Sequence, residues 1–415
     1  MRFLRSSPLA LPVLFLCAGY VGVTACSALG VTNEGFGASS STGGGEGGAG
    51  GGEIDLTTSS TGTGAGGPLT EEPPCEGMDP NADNDGDGVT GAAGDCNDCT
   101  TQMNPGAMDY PGNSIDEDCN GFVDDDPANC DTGLPVAADA RTGARAMDFC
   151  KDSDGTSWGV VSAEWVTADG QPLNSNYAAG VGVLSGFGPA VQPQAGQRLL
   201  ALSSGAARQP SDSGYQSPSG YVKGYTSGAP PGYPKESPAC PGVQTGIPYD
   251  SAGLRVTVKT PTNAKSLRFN LNFYTYEFPV YVCSQYNDFF VAMLSPQLSG
   301  TPDGNISFDS QGNTISVNAG FLQVCHAQQA GGQNYPCPLG AGQLSGTGFD
   351  DFTNSAATAW LQTTAPIENP GSNIELHFTI WDSGDGDLDS TVLLDNFAFE
   401  AIETTTETQP VPPPE

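Results

Sequence analysis

The sequence predicts a mostly β protein, with a large antiparallel β-sandwich of jelly-roll type over about residues 132–401, and three observations lead there. Apolar and polar residues alternate in short runs: Leu267, Phe269, Leu271 and Phe273 interleave with Arg268, Asn270 and Asn272, and Ile374, Leu376, Phe378 and Ile380 with Glu375, His377 and Thr379. A period of two places every second side chain on one face of a strand. Similar runs recur at Trp158 to Val166, Arg198 to Leu202, Leu254 to Val258, Asp288 to Leu294 and Thr391 to Phe399. Gly, Pro, Asn and Asp separate them, as turns between strands require. One short helix is expected within 137–149, where Ala138, Ala140, Ala144 and Ala146 lead into Cys150.

The start of the chain reads as an export signal. Arg2 and Arg5 precede an apolar stretch from Leu9 to Val23, interrupted by Pro12 and too short for the roughly 20 apolar residues of a membrane span. Val23-Thr24-Ala25-Cys26 resembles the lipobox of bacterial lipoproteins, with Val where Leu is usual. The resemblance implies that residues 1–25 are removed and that Cys26 carries the lipid; a bare secretory signal is the alternative. Ser27 is not acidic, which by the same resemblance favours the outer membrane and the cell surface. Residues 26–74, with Gly47 to Gly52 interrupted only by Ala49, read as a disordered tether, because such a segment cannot bury enough apolar surface to offset its ordering entropy. Residues 402–415 read as a frayed tail.

The formal net charge is −34 at pH 7. This balance excludes nucleic acid and anionic lipid as partners, since no basic patch exists to neutralise phosphates, and it makes cations the natural counterpart. Once Cys17 and Cys26 are set aside, Cys75, Cys96, Cys99, Cys119, Cys130, Cys150, Cys240, Cys283, Cys325 and Cys337 remain. An even number in an exported chain reads as a disulfide framework whose pairing the sequence leaves open.

Residues 75–131 form an Asp-rich module with no Lys or Arg. Asp83-Asn84-Asp85-Gly86-Asp87-Gly88-Val89 places carboxylates at positions 1, 3 and 5, glycine at 6 and the Val89 carbonyl at 7, which is the front half of an EF-hand-type calcium loop. Gly94 stands at position 12, so the closing ligand is Asp95, Asp98 or a water. A second run repeats the grammar: Asp116, Asp118, Asn120, the Phe122 carbonyl and Asp124 are its oxygen ligands, and Gly121 stands at the turn. Oxygen donors alone suit a hard cation such as Ca²⁺. An acidic, disulfide-stapled spacer without metal is the alternative. Cys96-Asn97-Asp98-Cys99 has redox and zinc spacing but lacks a second such pair, so disulfides are expected there.

Two family resemblances follow. Gly94-Asp95-Cys96-Asn97-Asp98-Cys99, Asn104-Pro105-Gly106-Ala107-Met108-Asp109 and Ile115-Asp116-Glu117-Asp118-Cys119-Asn120-Gly121 resemble the metal-binding repeat of myxobacterial surface proteins, named for similarity to a methanotroph copper-binding outer-membrane protein. Copper is not expected here, because the module has no histidine and its methionines follow no ligand spacing. Asn272 to Val282, Asn287-Asp288-Phe289-Phe290, Asp382 to Ser390 and Leu394-Asp395-Asn396-Phe397 resemble the domain called choice-of-anchor L. That resemblance implies a surface protein and supplies no substrate. Asp385, Asp387 and Asp389 form a candidate third cation site, completed by Glu277 and Asp288 if the sandwich brings the loops together; a polar hairpin loop is the plainer alternative.

The residues do not spell an enzyme. Gly155-Thr156-Ser157-Trp158-Gly159 matches a nucleophile motif that works only between a strand and a helix, whereas here it precedes a strand. Cys325 and His326 are adjacent, but Cys325 and Cys337 read more simply as a short-range disulfide. The leading expectation is a calcium-binding surface protein of adhesion or interaction type, whose partner is a protein or a polysaccharide. A carbohydrate-binding module, suggested by Tyr215, Tyr221, Tyr225 and Tyr233 in the long loop 205–250, is the alternative, and a hydrolase with a carboxylate pair comes third.

Overall fold

The computed structural model describes residues 67–411 apart from Ala128, Pro302 and Phe352. The signal segment, Cys26 and most of the tether lie outside the described residues. In chain order the elements are a helix α1 (Ala140–Arg145) and the strands β1 (Gly159–Val166), β2 (Val181–Leu184), β3 (Leu199–Ser203), β4 (Pro248–Lys259), β5 (Ser266–Thr275), β6 (Phe289–Ser295), β7 (Ile315–Ser316), β8 (Gln328–Ala330), β9 (Gln333–Tyr335), β10 (Ala356–Ala357), β11 (Leu361–Pro366), β12 (Asn373–Ser383), β13 (Ser390–Glu400) and β14 (Glu407–Pro410).

These strands form the expected mostly β, antiparallel architecture. One sheet runs β1-β4-β12-β6-β7, the other β14-β11-β5-β13-β3-β2 with β10 beside β5, and β8 and β9 make a separate hairpin. The alternating runs meet between the sheets: Leu254, Val256 and Val258 of β4 and Leu376, Phe378 and Ile380 of β12 pack on Leu267, Phe269 and Leu271 of β5 and Val392 and Leu394 of β13. Across this interface the Phe269 and Phe378 rings stand edge to face, with centroids 5.1 Å apart.

The second sheet is covered on both faces, which simple alternation does not anticipate. Leu199, Ala201, Tyr274 and Leu393 face away from the main core into a second cluster with Phe187, Leu344 and Phe349. The contiguous apolar run of β3 follows from this, since a strand buried on both sides has no polar face to show. Loop 205–250 is likewise a cover. Tyr233 lies edge-on to Phe289 and Trp381, and Tyr225 stacks on Tyr177 at 3.9 Å. Tyr215, Tyr221, Tyr225 and Tyr233 are all half-buried, so the loop serves at least in part as a cover.

Helix α1 begins at Asp139, whose carboxylate accepts the Thr142 N–H as an N-cap. Gly143 allows it to sit on the sandwich: a Cβ there would come within 2.3 Å of the Trp165 ring. The Asp-rich module is docked onto the same body through Asn263, whose side chain accepts the Met108 N–H at 3.0 Å and donates to the Met108 carbonyl at 2.8 Å. Met108 and Tyr110 enter the main core directly.

Two expected boundaries move. The tail is not frayed throughout, because β14 pairs with β11 in register from Leu361↔Pro410 to Thr364↔Glu407, and the Thr408 hydroxyl meets that of Thr363 at 2.9 Å. The end of the tether is also bound: the Pro73 and Leu69 carbonyls accept from the Asn97 and Asn113 side chains.

In the β5–β13 ladder the register shifts between Asp395 and Ala398, and Asn396 takes φ 55°. This bulge leaves the Asp395 carboxylate buried, accepting the Gln194 N–H at 2.6 Å. Burial, reinforced by nearby Asp148, pushes its pKa up to about 8. The folded state therefore keeps a proton that an unfolded aspartate releases near pH 4, and stability must fall as pH rises through that window. Asp395→Asn is expected to raise the melting temperature by a few degrees at pH 8.5 and by nothing at pH 4. An equal shift at both pH values would remove Asp395 as the cause.

Candidate cation sites

All the predicted disulfide cysteines pair, as Cys75–Cys99, Cys96–Cys119, Cys130–Cys150, Cys240–Cys283 and Cys325–Cys337. The first two staple the Asp-rich module, where few apolar side chains are buried. They fix the chain on either side of the first acidic loop.

That loop turns as the sequence requires. Gly88 has φ 95°, a conformation open to glycine and strained for other residues. The Asp83 carboxylate accepts the Gly86 and Gly88 N–H groups at 2.7 and 3.0 Å, and Asp87 accepts the Val89 N–H at 2.7 Å. Asp83, Asp85 and Asp87 offer ligand oxygens within 4.8 Å of one another, and so do Asp85, Asp95 and Asp98. Both sequence candidates for the closing ligand thus reach Asp85.

The oxygens in this second trio are of two kinds. Asp98 accepts the Asn84 N–H and side-chain amide and the Gly91 N–H, and those donors hold its pKa below the ordinary carboxylate range. Asp85 and Asp95 each keep one buried oxygen, Oδ2, with no hydrogen-bond partner. Burial raises the pKa of both, that of Asp95 to about 6. A buried carboxylate oxygen without a donor costs free energy, and a cation between the two would remove that cost.

The second acidic run is arranged differently from its sequence reading. Asp116 accepts the Asn120 and Gly121 N–H groups at 3.0 and 2.8 Å, and Asp124 accepts those of Gly112, Asn113 and Ser114. Phe122 is exposed, and Asn120 caps the Phe122 N–H and reaches Asp125. The trio that converges is instead Asp109, Asp118 and Asp125. A charge from outside the module enters here as well: Lys151 Nζ lies 3.1 Å from both Asp118 and Asp126. Among the described residues no base pairs with the first run, whereas Lys151 answers the second.

At one end of the sandwich the candidate third site is reassigned. Glu277 and Asp288 do come together, but the third member is Asp382, and the three offer oxygens within 4.8 Å while all are buried. Asp385 and Asp387 are exposed on the β12–β13 hairpin, and Asp389 is buried near Lys223, beneath Gly205. Sequence reasoning missed Asp382, although a signal existed. It continues the inward register of Ile374, Leu376, Phe378 and Ile380, so an acid occupies a core-facing position of a strand. The ladder to β4 shifts register between Ile380 and Asp382, opposite Asp250 at φ 51°. Asp250 accepts the N–H groups of Lys223, Gly224 and Tyr225, fastening loop 205–250 beside the trio.

Burial, then the mutual repulsion of the carboxylates, raises Glu277 and Asp288 well above their ordinary pKa, and burial brings Asp382 to about 7. Elsewhere, the motif serine Ser157 lies in a turn where its hydroxyl and N–H both meet Asp154, and Cys325 is in a disulfide. His377 is a buried member of the central strand β12, and burial then Arg255 lowers its pKa to about 4.

No family model matches the chain, and no curated protein matches it. Among solved structures, the K2 cleaved adhesin domain of Lys-gingipain aligns with 57% of this chain and 87% of its own length at 15% identity, with a TM-score of 0.22. Similarity at that level carries no functional argument. What stands from the molecule itself is a mostly β, disulfide-bonded protein of the kind that folds in an oxidising compartment, with acidic clusters able to hold a metal ion. Among the described residues no helix is long and apolar enough to cross a membrane.

Proposed function

We propose that the protein is an exported surface lipoprotein, anchored through Cys26, whose Asp-rich module binds calcium and whose sandwich serves adhesion or interaction and not catalysis. The observation that carries the reading is the pair of buried, partnerless oxygens on Asp85 and Asp95, two carboxylates that with Asp98 offer ligand oxygens within 4.8 Å of one another. Three carboxylates and a glycine-turned loop supply oxygen donors in the manner of calcium sites, with nothing soft or imidazole among them. The docking of the module on the sandwich through Asn263 means that ordering the loop also steadies the surface beside it.

Calorimetric titration of the mature chain after chelation tests this. Binding is expected with a Kd on the order of 10⁻⁴ to 10⁻³ M, the range of extracellular modules, together with a rise in melting temperature. Asp85→Ala and Asp95→Asn should each abolish the module's binding step, while Asp116→Ala should leave it in place. Absence of heat and of any melting shift at millimolar calcium, with the disulfides intact, would leave the module as an acidic stapled spacer.

A further inference from the structure

We infer that Glu277, Asp288 and Asp382 hold a largely dehydrated calcium ion inside the sandwich, separate from the module, and that this ion fastens loop 276–288 to the β12–β13 hairpin. The three carboxylates come from different parts of the fold. Glu277 follows β5 of one sheet, Asp288 precedes β6 of the other, and Asp382 ends the inward row of β12. An ion among them bridges the two sheets where the chain passes between them.

The donors already in place cover only part of the oxygen surface. Asp288 donates its N–H to Glu277 at 3.2 Å, the Asp288 carboxylate accepts the Ser383 N–H at 3.1 Å, and Asp382 accepts the Gly386 N–H at 3.0 Å. Asp382 Oδ2 has no partner, and Asp288 Oδ2 has none at hydrogen-bond geometry, although the Ser390 side chain lies near enough to favour the Asp288 carboxylate. Independently of the acids, Asn287 is completely buried, yet both its Oδ1 and Nδ2 lack a hydrogen-bond partner. Asn287 directly precedes Asp288 in the chain, and a buried carboxamide without a bond is costly, so its oxygen is a neutral donor of the kind a calcium ion accepts.

Charge points the same way. Lys223 is a half-buried base close enough to act on Asp382, but it also answers Asp250 and Asp389, and its Nζ donates to the Ser203 carbonyl at 2.9 Å. One ammonium shared among that many carboxylates cannot balance the trio when it is ionised, so the trio must either hold protons or take up a cation. Magnesium gives up its water reluctantly and demands near-octahedral geometry, whereas calcium accepts irregular oxygen cages. Glu277, Asn287, Asp288 and Asp382 are each at most 2% exposed, which leaves little access for the hydration shell that magnesium retains.

The consequence is a loop whose order depends on the cation. Loop 276–288 carries Cys283, tied to Cys240 of the 205–250 cover, and Gly246 donates to the Gln285 carbonyl at 2.9 Å. Loss of the ion would thus loosen both segments together.

The test counts bound calcium per mature chain by equilibrium dialysis and elemental analysis at pH 7.5, in the wild type and in an Asp95→Asn background that lacks the module's site. Asp382→Asn and the triple variant Glu277→Gln, Asp288→Asn, Asp382→Asn should each lose one equivalent in both backgrounds. The triple variant, having no repulsion to relieve, should stay folded without calcium, which covers the case in which the single variant fails to fold. Asp385→Asn with Asp387→Asn should keep the full count. Chelation should speed hydrogen exchange at the Asp288, Ser383 and Gly386 amides at least roughly tenfold in the wild type and leave the triple variant unchanged. An unchanged calcium count in the triple variant, or equal binding of magnesium and calcium in the Asp95→Asn background, would overturn the assignment and leave a proton-sharing acid cluster in its place. Loss of the module's step alone would refute the function proposed above without touching this site.

Discussion

Phe378→Ala is expected to lower the unfolding free energy by about 3–5 kcal/mol, the usual cost of emptying a fully buried phenylalanine site. Phe378 is wholly buried in the middle of β12, opposite Leu254 of β4 on one side and Ala292 of β6 on the other. Its ring also meets Phe269 of the facing sheet, so the truncation empties space between layers that β pairing holds at a fixed distance. Such a site cannot collapse onto the void, which argues for the upper part of the range. Denaturant unfolding should show a lower midpoint with an unchanged slope, and Phe378→Leu should recover much of the difference. A loss below about 1 kcal/mol would mean that the two sheets do not pack through this ring.

Replacing Cys96 and Cys119 together by serine is expected to remove about 3 kcal/mol from the module, since the crosslink closes a loop with a sequence separation of 23 residues. The module has little else to hold it: Met103, Ala107, Met108, Tyr110 and Ile115 are its buried apolar side chains. Limited proteolysis should therefore cut between about residues 80 and 125 while the sandwich remains intact. Calcium at a hundred times its Kd contributes about 2.7 kcal/mol per site and should restore most of the protection. Equal resistance with and without the disulfide would show that the contacts to Asn263 and the main core suffice on their own.

Legibility in the sequence divides along the range of the interactions. Strands whose one face is core and other face polar, such as β5 and β12, are written in their own residues, and their expected positions hold. β2 and β11 are not legible in the same way. Val181 to Leu184 are all buried by a covering layer from elsewhere in the chain, and Leu361 to Pro366 present threonines to β14. The same distinction governs the sites. The turn at Gly88 and the approach of Asp95 and Asp98 to Asp85 are local and follow from spacing. The counter-charge on Asp118 arrives from Lys151, 33 residues away, and Asp382 meets Glu277 only because β5 and β12 belong to opposing sheets. No local pattern of acids reports such arrivals, though an aspartate in the inward register of a strand marks where to look. Disulfide pairing is of the same non-local kind except for Cys325–Cys337, which lie 12 residues apart and pair as their closeness in sequence suggests.

Strand β14 has a bearing on self-association. A sheet that ends in a bare strand offers its unspent N–H and C=O groups to any extended chain nearby, including another copy of itself. With Glu407–Pro410 in place, the bare strand is only four residues long, carries an acid, and ends in a proline that has no N–H to give. Peeled away, it would uncover the full length of β11, with Leu361 and Ala365 on that rim. This short strand thus guards the rim of β11 against edge-to-edge pairing with another extended chain.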